Sequence, residues 1–256
     1  MDMTTHWPDL VRHPAHGDHI VQMYQDDAFL AEAVAEYVVT GLRAGEAAVI
    51  IATAQHRAKF LRALQAEGFK EGPALKLLDA EETLARFMRD GTPQWREFHE
   101  VVGGLIAELR LQYPTVRAYG EMVDVLWQRG ERDAAIRLEE YWNELGRLQT
   151  FSLFCAYRLD PLASEAYGGP LESVCKTHTH LVPARDSARF DEAVEQASSK
   201  VLDQPLAQIL LSLAANHQAA TRMPAGQAAL FWLKQNMPRT AEKILSELRA
   251  GALPAA

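Results

Sequence analysis

The segment that most constrains the fold is residues 47–53, a nearly continuous apolar run with the sequence AAVIIAT. A strand that is apolar on both faces is typical of a parallel sheet covered by helices on both sides. Further candidate strands lie at residues 19–24, 75–79, 116–120 and 151–157. Longer stretches with helical spacing separate them, and Thr92 followed by Pro93 predicts one helix start. The alternation predicts an α/β fold, a mostly parallel sheet with helices on both faces.

The end of the chain predicts a separate α-helical extension. Residues 186–256 contain seven basic and seven acidic residues, so the first 185 residues carry the whole net charge of −8. This step in composition predicts a domain boundary between residues 185 and 186. Between Gln204 and Leu233 the only charged residue is Arg222. Helices of this kind must bury an apolar face, and we expect them to do so in a homodimer or against a signalling partner.

Composition excludes several classes of protein. The chain has 256 residues, of which 48% are hydrophobic and 23% charged, as in ordinary globular proteins. Its acidic charge argues against nucleic acid or an anionic membrane surface as a partner. Residues 1–12 lack the apolar core of a signal peptide, and no uncharged apolar run reaches the ~20 residues needed to span a bilayer. With only two cysteines, the sequence predicts a soluble, cytoplasmic protein.

The sequence lacks the usual phosphate-binding and nucleophile motifs. It contains no G-x-x-x-x-G-K-[ST], no G-x-G-x-x-G after a predicted strand and no G-x-S-x-G. In the turn after the first predicted strand, a phosphate would meet the carboxylates of Asp26 and Asp27 rather than backbone amides and a lysine. We therefore expect no binding or hydrolysis of ATP or GTP and no cofactor. An enzyme with an unconventional phosphate site stays open as an alternative.

Several segments resemble the MEDS sensory domain, a family named for methanogen and methylotroph proteins and a dichloromethane-responsive regulator. The resemblance covers about residues 16–183, and its most specific block is RAYGEMVD at residues 117–124. Further segments that carry it are residues 19–24, 41–46, 51–53, 138–143 and 151–157. The resemblance implies a RecA/KaiC-like fold without the nucleotide-binding loop. It also implies a sensory role in bacterial signalling.

Parallel sheets bind ligands at the carboxyl ends of their strands, which directs attention to the residues there. Arg117, Tyr119 and Glu121 alternate along the fourth predicted strand, so their side chains are expected on one face as the floor of a site. Alternatively, Arg117 and Glu121 form an internal ion pair. The full set of candidate ligand-binding residues is Tyr24, Thr53, His56, Arg117, Tyr119, Glu121, Cys155 and Tyr157. We expect them to line one pocket for a small, weakly polar ligand.

Two histidine-containing groups are candidate metal sites. Cys175, His178 and His180 form a C-x-x-H-x-H pattern, but a closed structural zinc site needs a fourth ligand. An ordinary packed or exposed histidine group is the alternative. A second series consists of the histidines at positions 13, 16 and 19. Their side chains are expected to point in different directions, because they lie on an extended segment. Among the helix acids, Glu139 is the one expected to turn inward.

These observations favour a non-enzymatic sensory protein. The α/β domain would bind a small ligand or a signalling protein at the strand ends, and the helical tail would relay the change. A nucleotide-dependent enzyme is the first alternative, and magnesium-dependent ATP binding would distinguish it. A transcriptional regulator with a DNA-binding tail is the second, but the tail lacks the excess of basic residues that DNA binding requires.

Overall fold

The computed structural model describes residues 7–160, 162–167, 174, 176–182, 187–221 and 224–251. The chain divides into two compact units. The first comprises Met1–Arg158 and Thr177–Val182, and the second comprises Leu159–Lys176 and Pro183–Ala256. The chain therefore leaves the first unit after Arg158, returns at Thr177 and leaves it again after Val182. The predicted assignment of residues 1–185 and 186–256 to a sensory domain and an extension stays a prediction.

A six-stranded parallel sheet forms the centre of the first unit, in the order β3-β2-β6-β7-β1-β8. Its strands are β1 (His19–Tyr24), β2 (Ala47–Ala52), β3 (Leu75–Asp79), β6 (Val116–Gly120), β7 (Phe151–Arg158) and β8 (His180–Val182). A separate two-stranded ribbon consists of β4 (Met88–Arg89) and β5 (Thr92–Pro93). The predicted α/β fold with a parallel sheet is confirmed. The edge strand β8 was not predicted from the sequence.

Helices cover both faces of the sheet. They are α1 (Trp7–Arg12), α2 (Asp27–Arg43), α3 (Ala54–Ala66), α4 (Ala80–Phe87), α5 (Trp95–Phe98), α6 (Gly104–Arg110), α7 (Met122–Gln128) and α8 (Arg132–Leu148), and a π-helical turn, His99–Gly103, joins α5 to α6. On one face, the ring of Phe154 packs edge-on against Tyr37 of α2, with centroids 5.5 Å apart. The next residue, Cys155, points to the other face and contacts Glu139 of α8. Successive side chains of β7 therefore divide the core into two layers.

Polar caps position the helices that follow the strands. The carboxylate of Asp26 accepts hydrogen bonds from the N–H groups of Ala28 and Phe29 at 2.8 and 3.2 Å, and so begins α2 directly after β1. The hydroxyl of Thr53 accepts from the N–H of His56 at the start of α3, directly after β2. These caps accept hydrogen bonds from the free N–H groups of the first helical turns. Because the helices begin directly after the strands, the caps place polar side chains along the carboxyl edge of the sheet.

The predicted helix start at Thr92 and Pro93 is wrong. These residues form β5, which pairs with β4, and the next helix begins at Trp95. The reason is the turn at Asp90 and Gly91, where φ is +48° and +73°. An Asp-Gly pair with both φ angles positive favours a tight hairpin, and this hairpin displaces the helix start by two residues, from Pro93 to Trp95.

The second unit is helical in the part that the structure describes. Its helices are α9 (Ser187–Leu202), α10 (Gln204–Thr221), α11 (Ala225–Asn236) and α12 (Pro238–Ala250). Phe231 and Ile244 are fully buried, whereas Leu206, Ile209 and Leu213 of α10 are exposed. The predicted homodimer stays a prediction. No helix within the described ranges combines the length and the apolar character needed to cross a membrane.

Candidate functional site

An open pocket of about 500 Å³ lies where β1, β2, β6 and β7 end. Residues at or just after these strand ends line it, among them Tyr24, Thr53, His56, Glu121 and Arg158. This is the edge at which parallel sheets bind ligands. Four of the predicted ligand-binding residues, Tyr24, Thr53, His56 and Glu121, therefore lie together in one pocket.

Glu121 is the central hydrogen-bond acceptor of the pocket. Its carboxylate accepts from the backbone N–H of Thr53, from the Tyr119 hydroxyl at 3.2 Å and from His56 Nδ1 at 2.6 Å. Tyr119 is buried beneath the pocket and contributes through this bond. These three donors come from different elements, so they fix the Glu121 side chain in one orientation.

His56 lies between two carboxylates. Its Nδ1 contacts Glu121, and its Nε2 lies 3.6 Å from Oδ1 of Asp27. Burial lowers the pKa of His56, but the hydrogen bond and charge of Glu121 and the charge of Asp27 outweigh it, so the pKa is raised above its ordinary value. Asp27 also binds Lys59 Nζ at 2.5 Å and the guanidinium of Arg158. Although burial opposes it, these cations lower the pKa of Asp27.

Asp124 forms the second acidic centre of the pocket. Its carboxylate accepts from the Tyr24 hydroxyl at 3.2 Å, from Gln128 Nε2 at 3.0 Å and from the backbone N–H of Arg158 at 3.0 Å. Burial raises the pKa of Asp124 despite these bonds. Burial and the charges of Asp124 and Glu121 also raise the pKa of Tyr24. The Arg158 guanidinium lies over the Tyr24 ring, 5.3 Å from its centroid.

Arg117 is not part of this pocket. It shares a face with Tyr119 and Glu121 but lies near the beginning of β6, about 13 Å from Glu121 at a strand rise of ~3.3 Å per residue. Its Nε donates to Oε2 of Glu46 at 2.5 Å, and its Nη1 donates to the carbonyls of Tyr37 and Val11 at 2.8 and 3.1 Å. Arg117 is therefore absent from the lining of the pocket in which it was predicted, and the alternative of an ion pair with Glu121 is wrong because Arg117 pairs with Glu46.

Cys155 and Tyr157 lie on the opposite face of the sheet from Glu121. There they join a second group of polar side chains, which we call the buried cluster: His19, Glu139, Cys155 and His178. The Tyr157 hydroxyl donates to Oε1 of Glu139 at 2.6 Å. Burial and the Glu139 charge raise the pKa of the Cys155 thiol well above its ordinary value. Burial and the neighbouring His178 lower the pKa of His19. The predicted single pocket therefore corresponds to two separate sites.

The C-x-x-H-x-H residues do not act as one group in the described part of the chain. His178 belongs to the buried cluster, whereas His180 is half-exposed, with its Nδ1 2.9 Å from the hydroxyl of Thr179 and 3.7 Å from Oδ1 of Asp18. The third residue of the pattern, Cys175, lies outside the described residues.

The pocket also contains residues that the sequence reasoning missed, among them Asp27, Asp124 and Arg158. Asp27 is the residue after the α2 cap, Asp124 follows Glu121 by three positions, and Arg158 is the last residue of β7. Asp124 could have been predicted from its spacing to Glu121. Residues three positions apart at the start of a helix lie on the same side, so Asp124 lies on the side of Glu121 at the end of β6. For Asp27 and Arg158, only the register between β1 and β7, which pairs Tyr24 with Arg158, brings them together.

One family model matches the chain over residues 18–179, well over half of its length, and is described as MEDS, the MEthanogen/methylotroph, DcmR Sensory domain. The match includes the strands β1, β2, β3, β6 and β7 and the whole pocket. No curated protein sequence matches the chain.

Proposed function

The chain belongs to the MEDS family of sensory domains, and on that premise we propose that its first unit senses a small polar molecule bound in the pocket at the strand ends. The observation that carries this proposal is the meeting of four strand ends at one pocket of about 500 Å³, a volume that suits a small ligand. The surrounding polar side chains are held by one another, so the pocket is formed before a ligand arrives.

The charges of the pocket support a neutral or cationic ligand. Its ionisable side chains are the acids Asp27, Glu81, Glu121 and Asp124, the bases Arg129 and Arg158, and His56. Both arginines already contact carboxylates, Arg129 with Glu81 at 3.1 Å and Arg158 with Asp27. Lys59 also contacts Asp27, and His56 contacts Glu121, so an anionic ligand would have to displace a carboxylate from each of these cations. This agrees with the absence of a phosphate-binding loop from the sequence.

Arg158 offers a route from the pocket to the second unit. Its side chain contacts Tyr24 and Asp27, its backbone N–H binds Asp124, and the next residue, Leu159, begins the second unit. A ligand that binds better when Arg158 is released from Asp27 would increase the population of the released arrangement. Because Arg158 is the last residue before the second unit, this change would occur where the chain passes from one unit to the other. In this proposal the helical unit relays the change, either as a homodimer or to a signalling protein.

Native mass spectrometry of the freshly purified full chain tests the ligand site. We expect the wild type to retain a small molecule. We expect Glu121→Gln to lose it, because the neutral glutamine replaces the charged carboxylate that binds His56 in the pocket. Glu100→Gln is the matched control, since Glu100 is exposed and paired only with Arg96, one helical turn away. The melting temperature should also rise with methylammonium more than with acetate at equal ionic strength. Retention of the same mass by Glu121→Gln, or a larger rise with acetate, would contradict the proposal.

A further inference from the structure

We propose that the buried cluster is a zinc site, with His19, Glu139, Cys155 and His178 as the four ligands. One donor atom from each side chain lies within 4.8 Å of the others, and all four residues are buried. They come from distant parts of the chain: β1, α8, β7 and the segment just before β8. Zinc binds a donor set of two imidazoles, a thiol and a carboxylate. Calcium and magnesium prefer oxygen ligands and do not suit this set.

The distances between the donor atoms match a tetrahedral ion. Zinc bonds of about 2.0–2.3 Å in a tetrahedron place neighbouring ligand atoms about 3.3–3.8 Å apart. In the cluster, His19 Nε2 lies 3.2 Å from Oε2 of Glu139 and 3.3 Å from Sγ of Cys155. The Cys155 Sγ lies 3.8 Å from Oε2 of Glu139, and His178 Nε2 lies 3.4 Å from Oε1 of Glu139. All four donor atoms lie within 4.8 Å of one another. His19 and Cys155 lie against Oε2 of Glu139, and His178 lies against Oε1, so His178 would move closer to the other donors when one ion is bound.

The outer hydrogen bonds orient His19 as a metal ligand. Asn143 Nδ2 donates to the carbonyl of Thr177 at 2.8 Å, which fixes the direction of the amide. Its Oδ1 therefore faces His19 Nδ1 at 2.9 Å and accepts a hydrogen bond from it. The other nitrogen, Nε2, then presents its lone pair toward Cys155 and Glu139. A histidine whose outer nitrogen donates to an oxygen acceptor is the usual arrangement at metal sites.

The remaining ligands have outer partners too. The hydroxyl of Tyr157 donates to Glu139 at 2.6 Å, and His178 Nδ1 lies 3.1 Å from the hydroxyl of Thr177. The lone pair of His19 Nε2 and the Glu139 oxygen 3.2 Å away are both acceptors, so a cation between them would be favourable. Zinc would bind Cys155 as a thiolate, and the thiol proton would pass to water.

The site would be structural rather than catalytic, because four protein ligands leave no position for substrate. His178 is the second residue after the chain returns to the first unit at Thr177. Zinc would therefore fasten this return segment to the sheet through bonds to β1, β7 and α8. Apart from hydrogen bonds of Thr177 and Thr179, the described part of the segment is attached through the three-residue edge strand β8, which pairs with β1.

Metal analysis and cobalt substitution of the full chain test the proposal. We expect about one zinc per chain after purification without chelator. Cobalt exchanged into the site should give a thiolate-to-cobalt charge-transfer band and the strong visible bands of tetrahedral coordination. Cys155→Ser should abolish the charge-transfer band, whereas Cys175→Ser should keep it. Likewise His178→Gln should weaken zinc binding at least tenfold, whereas His180→Gln, two residues away, should leave it unchanged.

A variant outside the ligand set covers the case in which Cys155→Ser does not fold. Asn143→Ala removes the acceptor that orients His19 together with the donor to the carbonyl of Thr177, and we expect it to weaken zinc binding by about 10–100-fold. Two results would overturn the proposal. One is a wild-type protein that holds no zinc and gives no tetrahedral cobalt spectrum. The other is loss of the charge-transfer band in Cys175→Ser with its retention in Cys155→Ser, because the metal would then lie elsewhere.

Discussion

The pocket and the buried cluster take residues from the same two strands, β1 and β7, yet they differ in almost every physical respect. The pocket is open and holds its acids with hydrogen bonds and partly exposed cations, Lys59 and Arg158. The buried cluster is closed, and its donors have their partners within the core. The difference follows from strand geometry: the pocket lies beyond the strand ends, whereas the cluster lies under α8 on one face. An open site suits exchange of a ligand, and a closed site suits permanent binding.

The largest effect is expected at the far end of β6, away from both sites. Arg117→Met should lower the free energy of unfolding by about 3–5 kcal/mol, because it leaves Glu46 and the backbone carbonyls that Arg117 binds without their buried donor. The midpoint of urea denaturation measures this. Arg147→Met is the control, since Arg147 is exposed and pairs with Glu144 on the surface, and it should cost less than about 1 kcal/mol.

If Arg117→Met instead retained its stability but lost the bound small molecule, the separation between the structural and the ligand-binding ends of β6 would be wrong.

A smaller effect, and one that depends on pH, is expected in the pocket. Glu121→Gln should cost about 1.5–3 kcal/mol at pH 6, the usual contribution of hydrogen bonds to charged groups. Because the folded protein raises the pKa of His56, the stability from this group is complete below the unfolded pKa of about 6.5. It is lost as the pH rises through the higher folded value. The difference in unfolding free energy between wild type and Glu121→Gln should therefore shrink as the pH rises above that value.

Comparison with the variant isolates His56, because Glu121→Gln changes the partner of His56 and leaves the buried cluster the same in both proteins. Chemical denaturation at several pH values provides the measurement. A difference that stays constant from acid to alkaline pH would show that His56 does not carry the charge assigned to it.

Removal of a hydrogen bond to a residue of the buried cluster should lower the free energy of unfolding only modestly. Tyr157→Phe removes the hydroxyl that donates to Glu139, and we expect a loss of about 0.5–1.5 kcal/mol. Tyr141→Phe, which removes a hydroxyl bound to the carbonyl of Pro93, is a matched control of similar size. Only Tyr157→Phe should also weaken zinc binding. Equal zinc affinity in the two variants would contradict the role of Glu139 as a ligand.

No effect at all is expected from nucleotides. ATP or GTP with magnesium should leave the melting temperature unchanged, because the turn after β1 carries acids in place of a phosphate-binding loop. The thermal unfolding curve, recorded with and without nucleotide, checks this. A clear rise that disappears in Glu121→Gln would favour the nucleotide-dependent alternative and would assign the pocket to phosphate chemistry.

The strands of the sheet could be predicted from the sequence, but the division of the polar residues between the pocket and the buried cluster could not. Apolar strands such as residues 47–53 are recognisable because both faces are covered. Alternation along β6 placed Arg117 on the same face as Glu121, but sharing a face is not enough for a common site. Arg117 precedes Glu121 by four residues and lies near the beginning of β6, away from its carboxyl end. The position of Tyr157 depended on register: β1 and β7 pair Tyr24 with Arg158, so Tyr157 points to the opposite face from Tyr24.

The buried cluster shows the same limit. His19, Glu139 and Cys155 are separated by more than a hundred residues of sequence at the widest, and only the fold brings their side chains together. Spacing along the chain favoured His178 with His180, because local patterns detect only ligands that are close in sequence. The inward turn of Glu139 was expected from its helix, but its partners were not.

Native mass spectrometry of one wild-type sample before and after extensive dialysis tests the contrast between the two sites most directly. We expect the small molecule to dissociate from the open pocket on dialysis, whereas the mass of one zinc ion per chain remains. Cys155→Ser, measured in parallel, should lack the zinc while its small molecule is still present before dialysis. Loss of zinc together with the small molecule, or a wild-type chain whose mass equals that of the polypeptide alone before dialysis, would contradict it.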